Sequence, residues 1–148
     1  TQHAQDTLFL IDNYVLDPMG RGTALSQSVK DNLASELTKL PHAFSVICYV
    51  DKKLAGLVNC FEASSTFKCK PLINIHDVVV AEEYRGLGLG QKMLQHVENI
   101  AIHKGCCKVT LEVLEANHIA KHADIKFGFS GYELNPKMGK AQFLEKPL

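Results

Sequence analysis

The chain has 148 residues, 46% of them apolar, enough for one domain that buries about two-thirds of its unfolded surface. Lys plus Arg (16) and Asp plus Glu (16) balance to a formal net charge of zero, which excludes the basic excess that sequence-independent nucleic-acid binding needs. No apolar run reaches membrane-spanning length and no secretory signal opens the sequence. The five cysteines (Cys48, Cys60, Cys69, Cys106, Cys107) are odd in number and contain no C-x-x-C pair, which fits reduced thiols in a cytoplasmic protein rather than a redox or metal role. Thr1 is not an initiator methionine, so the sequence is expected to begin inside a longer chain.

Leu8, Ile11 and Val15 recur at helical spacing over residues 6–16, and Asp17-Pro18 stops the pattern; the dense run Leu8-Phe9-Leu10-Ile11 leaves a strand open as the alternative. Residues 17–22 are a loop by composition. A second helix follows over 26–40, with the stripe Leu25, Val29, Leu33, Leu37 and Leu40. Residues 43–50 and 54–62 read as strands joined in a hairpin at Asp51-Lys52-Lys53, and 72–80 as a third strand. From Leu89 on, Met93, Leu94, Val97, Ile100 and Ala101 mark a helix closed at Lys104-Gly105. A strand over 108–114 leads to a short helix over 117–127, with Asn117 as its N-cap and Gly128 past its end. Residues 129–134 and 141–145 read as closing strands around an Asn135-Pro136 turn. The order is an α/β plan with mixed pairing and no internal linker.

The stretch Val78-Val79-Val80-Ala81-Glu82-Glu83-Tyr84-Arg85-Gly86-Leu87-Gly88-Leu89-Gly90 carries the third strand into the central helix. A helix start collects unpaired N–H groups and the positive end of the macrodipole, and glycines let an anion approach them, so this is a site for phosphate. Gln91 and Lys92 stand where a P-loop needs Lys-Ser/Thr, and Gln91 where a dinucleotide fingerprint needs its third glycine. Arg85-x-x-Gly88-x-Gly90 after an apolar strand resembles instead the pyrophosphate loop of the GNAT superfamily, the acetyl-CoA-dependent N-acyltransferases. Leu111-Glu112-Val113, Asn117, Ala120 and Gly128-Phe129 resemble that family's second motif. The resemblance implies the GNAT acyl-CoA N-acyltransferase fold over a single domain, 1–148: a mixed central sheet flanked by helices, with the first strand upstream of Thr1.

The same resemblance implies the site. Val78, Val79 and Val80 would run along the pantetheine and acetyl group of acetyl-CoA. Arg85 would open the loop, Gly86, Leu87, Gly88, Leu89, Gly90 and Gln91 would wrap the pyrophosphate, and Asn117 would complete the cofactor-binding set. No metal is implied: His118 and His122 are four apart but lack a third ligand in a zinc-site pattern. Asn74 and His76 share the parity of Val78 in a regular strand, which puts a histidine that titrates near physiological pH beside the thioester; a structural histidine is the alternative. Asp77 points to the opposite face. Glu112, expected to be buried with a raised pKa, is the other base candidate, against a structural or substrate-orienting role. Asp124 stands seven residues after Asn117, where the family usually has a tyrosine that can protonate the leaving thiolate, and an ionised aspartate cannot donate a proton. Two readings follow: an N-acetyltransferase acting on a primary amine, small molecule or peptide N-terminus, by direct transfer in a ternary complex; or a non-catalytic acyl-CoA-binding module. Tyr14, Asp17, Met19, Arg21 and residues 135–140 would border the acceptor, and Glu62 could attract a cationic amine. No nucleic-acid or membrane partner is expected, and a homodimer stays open.

Overall fold

In a computed structural model, residues 2–148 are described except 18, 19, 21 and 134. In chain order the elements are α1 (Gln2–Leu16), α2 (Gln27–Thr38), β1 (Ala43–Val50), β2 (Lys53–Ser65), β3 (Lys70–Val80), α3 (Leu89–His103), β4 (Val109–Leu111) and α4 (His118–Phe127), with single 3-10 turns at Glu82–Tyr84 and Pro136–Met138. They fall into two compact units, Thr1–Leu114 and Glu115–Leu148.

The first unit is a sheet in the order β1-β2-β3-β4 with helices on it. β1, β2 and β3 are antiparallel neighbours, and β4 joins β3 in parallel. The hairpin between β1 and β2 closes tightly because Asp51 and Lys52 both take positive φ (48° and 64°), the twist that a two-residue connection requires. β2 is central and buried from Ala55 to Cys60. Leu57 and Val79 pack against Leu10, Ile11 and Val15 of α1, which settles residues 6–16 as helix rather than strand. The helix begins earlier than its apolar stripe because polar groups anchor its first turns: Asp6 accepts from Gln2 at 2.9 Å and from the Tyr49 hydroxyl, and Thr7 bonds back to the His3 carbonyl at 2.9 Å. α3 buries Leu89, Met93, Leu94, Val97 and Ala101. It seats closely on β2, since a Cβ at Gly56 would lie 2.8 Å from the Met93 methyl.

Two features of β3 depart from a regular strand. Asn59 lies opposite Asp77 but Cys60 lies opposite Ile75, so His76 is an extra residue on β3, a β-bulge. Directly opposed residues share a face and a one-residue offset exchanges faces. Asn74, opposite Phe61, therefore lies on the face of Asn59 and Asp77, and Val78 on the other. The shared parity expected of Asn74 and Val78 is corrected by that bulge. Secondly, the pairing with β4 is short: Ile73, Asn74 and Ile75 oppose Val109, Thr110 and Leu111, and it stops there. β4 is accordingly shorter than the expected 108–114.

In the second unit the Asn117 side chain accepts from the Ala120 N–H at 3.2 Å and starts α4, and Gly128, at φ 121°, follows its end. The two closing strands are not formed among the described residues; Leu134, the end of the first, lies outside them. Between the segments the Ala141 N–H donates to the Tyr132 carbonyl at 2.9 Å. Residues 139–148 are exposed throughout, and a two-stranded ribbon without a covered face does not hold a ladder of its own.

Candidate active site

Beyond Ile75, β3 has only β2 as its ladder neighbour among the described residues, so the backbone of residues 76–80 presents an unladdered edge where β4 would have continued. On this stretch Val79 is buried and Val78 and Val80 are half-buried. The chain then turns through Glu82–Tyr84 into the glycine loop. The Arg85 Nε donates to the Val80 carbonyl at 3.2 Å and its guanidinium lies 3.4 Å from the Asp17 carboxylate, which ties the loop to the strand end and to the end of α1. Gly86 and Gly88 both take the left-handed conformation (φ 77° and 74°) and face open space, so glycine is required for the backbone rather than by crowding. Gly88 caps α3, receiving the Lys92 N–H at 3.2 Å. Gly90 lies over the strand end, its Cβ position 3.9 Å from Val80 Cγ2. The exposed Leu87 leads to the buried Leu89, and Gln91 is half-buried in the first turn of α3. Backbone N–H groups at a helix start with no side chain over them form a seat for a diphosphate, and an open strand edge can pair with an extended, amide-bearing arm.

The catalytic candidates are placed as follows. His76 is the exposed bulge residue, its ring edge-on to Phe61 with centroids 5.4 Å apart. The Asn74 amide is engaged with the Thr110 hydroxyl at 3.1 Å. Glu112 is exposed, one residue past the end of β4, so the burial expected of it is absent. Asp124, on α4 in the second unit, is half-buried, and burial pushes its carboxyl up from the ordinary aspartate value. It holds its proton to a higher pH than an exposed aspartate. Asn117 spends its side chain on the α4 cap. Glu62 is paired with Lys104 at 2.8 Å, which offsets the charge expected to draw an amine. Met19 and Arg21 lie outside the described residues.

One group of residues escaped the sequence reading. The Ser45 hydroxyl donates to the Asn59 side-chain carbonyl at 2.7 Å, and the Asn59 amide donates to Asp77 at 2.9 Å, a row across β1, β2 and β3. Asn59 is 3% exposed. Tyr14, from α1, is raised by burial and then by the negative charges of Asp77 and Asp17. Strict alternation set Asp77 aside, and the only signal was that Asn59 and Asp77 are polar interruptions in apolar strands. The Cys60 thiol is pushed up to about 12, by burial and then by Asp77, and is inert. All five cysteines are free. Among the described residues no three His, Cys, Asp or Glu side chains gather as metal ligands, and no helix is long and apolar enough to cross a membrane.

A mixed sheet whose parallel pair parts beside a glycine loop at a helix start is an architecture that solved structures share. A crystal structure of a probable acetyltransferase superposes with a TM-score of 0.82 over 99% of this chain and 93% of its own, at 18% identity. The chain belongs to the Acetyltransferase (GNAT) family, whose model matches residues 12–129. Glucosamine 6-phosphate N-acetyltransferase 1 of Dictyostelium discoideum is 28% identical over 105 residues, 68% of this chain and 66% of that protein. Thialysine N-epsilon-acetyltransferase of Bos taurus is 42% identical over 45 residues, 30% of this chain and 26% of that protein. The match thus spans less than two thirds of either relative.

Proposed function

We propose that this chain is an acetyl-CoA-dependent N-acetyltransferase that passes the acetyl group directly to a primary amine, of a small molecule or a peptide N-terminus, in a ternary complex. The observation that carries the reading is the continuous path from the unladdered edge of β3 through the left-handed glycines to the start of α3. The fit to acetyl-CoA is good on chemical grounds: an edge for an amide-bearing arm leads to a seat for a diphosphate, in the order in which the cosubstrate presents them. The names of the two relatives, an amino-sugar-phosphate and a thialysine acetyltransferase, support an amine as acceptor.

When bound, acetyl-CoA supplies an activated acetyl thioester. Val78, Val79 and Val80 hold the pantetheine arm through their backbone, and a strand N–H there serves the developing oxyanion, a role worth about 3–4 kcal/mol. Residues 86–91 wrap the pyrophosphate, with Arg85 fixing where the loop begins. His76, exposed at the bulge, accepts the proton of the incoming ammonium. By the family resemblance Asp124 stands where the acid for the leaving thiolate would be, and water can supply that proton. The reading places the protein in the cytoplasm, where its thiols stay reduced.

Aspartate at position 124 instead of the family's tyrosine favours a second reading, a non-catalytic acyl-CoA-binding module. An amine library with acetyl-CoA, followed by free-thiol release, separates the two. Amine-dependent release is expected; saturable acetyl-CoA binding without release across the library selects the module, and absence of binding sinks both.

A further inference from the structure

Asn59 lies almost wholly inside the sheet, and both ends of its amide are used: the carbonyl takes the Ser45 hydroxyl at 2.7 Å and the amino group is given to Asp77 at 2.9 Å. A buried amide satisfied in this way is held in one orientation, and it holds the Asp77 carboxylate in turn. Among the described residues Asp12, Asp17, Glu36 and Glu62 each have a lysine or arginine, whereas no such cation faces Asp77. The Asp77 carboxylate, half-buried and held by one neutral amide, has the chemistry to take a cationic partner. The bulge at His76 turns Asp77 onto the face of Asn59, in the first paired residue of the unladdered stretch. It is one residue, about 3.3 Å along a strand, from Val78. Tyr14, on the neighbouring helix face, already feels the negative charge of Asp77 and Asp17, and Asp17 is offset by Arg85 while Asp77 is not.

We propose that Asp77 receives a second, non-reacting ammonium group of the acceptor amine, with Asn59 and Ser45 as its positioning residues, so that this chain selects amines carrying additional positive charge over phosphorylated ones. The inference rests on the acetyltransferase reading above and names its substrate class. A phosphate close to the amine would meet the Asp77 carboxylate, which disfavours a phosphorylated acceptor of the kind named for the Dictyostelium relative.

The test uses the full chain, saturating acetyl-CoA and two matched acceptor pairs: ethanolamine with phosphoethanolamine, and butylamine with putrescine. Saturable binding of putrescine alone is followed in parallel by nuclear magnetic resonance. Wild type should favour putrescine over butylamine and ethanolamine over phosphoethanolamine. Asp77→Asn should lower kcat/KM for putrescine about 10–10²-fold, mostly through the amine KM, leave the KM for acetyl-CoA unchanged, and erase both preferences. Asp77→Glu should keep the sign of the preferences. Ser45→Ala should lower kcat/KM for putrescine about 3–10-fold. Preferences that survive in a folded Asp77→Asn protein, or a wild type that prefers phosphoethanolamine, would overturn the proposal and leave the acetyltransferase reading standing. If no amine releases thiol, that reading falls instead. Putrescine binding that requires Asp77 would then still support the ammonium site, and binding that is absent or indifferent to Asp77 would overturn it. Should Asp77→Asn fail to fold, Asp77→Glu and Ser45→Ala carry the same comparison.

Discussion

At the scale of single residues, the two carboxylates among the catalytic candidates stand in opposite surroundings. Asp124 is half-buried and its carboxyl is raised by that burial; Glu112 is exposed past the end of β4. A carboxyl whose folded-state pKa lies above its unfolded value, about 3.9 for aspartate, makes the folded state bind the proton more tightly. Its contribution to stability is complete below the unfolded pKa and is lost as pH rises through the raised one. Asp124→Asn, which cannot ionise, should therefore be more stable than wild type at neutral pH, with the difference closing below about pH 4. Urea midpoints at the two pH values check this, and a variant less stable at neutral pH would mean that the carboxylate is held by a partner. For proton acceptance, His76→Ala should lower turnover about 10²-fold or more with acetyl-CoA affinity kept. Glu112→Gln should cost little, because an exposed carboxylate has no burial to tune it. Equal losses in both variants would place the base elsewhere.

At the scale of elements, α3 seats closely on β2 at Gly56. A Cβ at Gly56 would meet the Met93 methyl at 2.8 Å, its sulfur at 3.0 Å and the Val79 carbonyl oxygen at 3.0 Å. The thioether can swing away, but the carbonyl belongs to the ladder and cannot. Gly56→Val should destabilise by about 1–3 kcal/mol, read from denaturant midpoints, and a neutral result would show that helix and sheet separate easily. The apolar stripes that seat these helices were legible from the residues alone: Leu89, Met93, Leu94, Val97 and Ala101 recur at helical spacing and are all buried. The loop was legible for a similar reason, since glycines before an apolar helix leave few alternatives. The bulge was not. Periodicity assumes that each residue advances the strand by one, and His76 breaks that count because adjacent Asn59 and Cys60 of β2 pair with Asp77 and Ile75 and leave it out of the register. The face of Asp77, the row it forms with Asn59 and the exposure of Glu112 are all consequences of where ladders begin and stop. Those are tertiary facts that local propensity does not encode.

At the scale of the whole molecule, the family match runs from residue 12 to residue 129 and so includes parts of both compact units. A ligand selective for the folded chain must then appear as stability. At about 100 times its Kd, acetyl-CoA should add about 2.7 kcal/mol, which for a chain of this size is a rise in Tm of about 5–11 °C. Gly88 tests where that ligand sits, because two substitutions there separate strain from charge. Its φ of 74° is left-handed, so any side chain lowers the Tm of the free protein, by about 1–2 kcal/mol of strain. Open space surrounds its Cβ position, so alanine adds nothing that blocks a diphosphate. Gly88→Ala should therefore melt lower than wild type yet keep most of the ligand-induced rise. Gly88→Glu should melt lower and lose the rise, since a carboxylate then occupies the anion seat at the start of α3. Thermal melts of the three proteins with and without acetyl-CoA give the answer. A full rise in a folded Gly88→Glu protein would put the cosubstrate somewhere other than the glycine loop, whatever the assay for acetyl transfer returns.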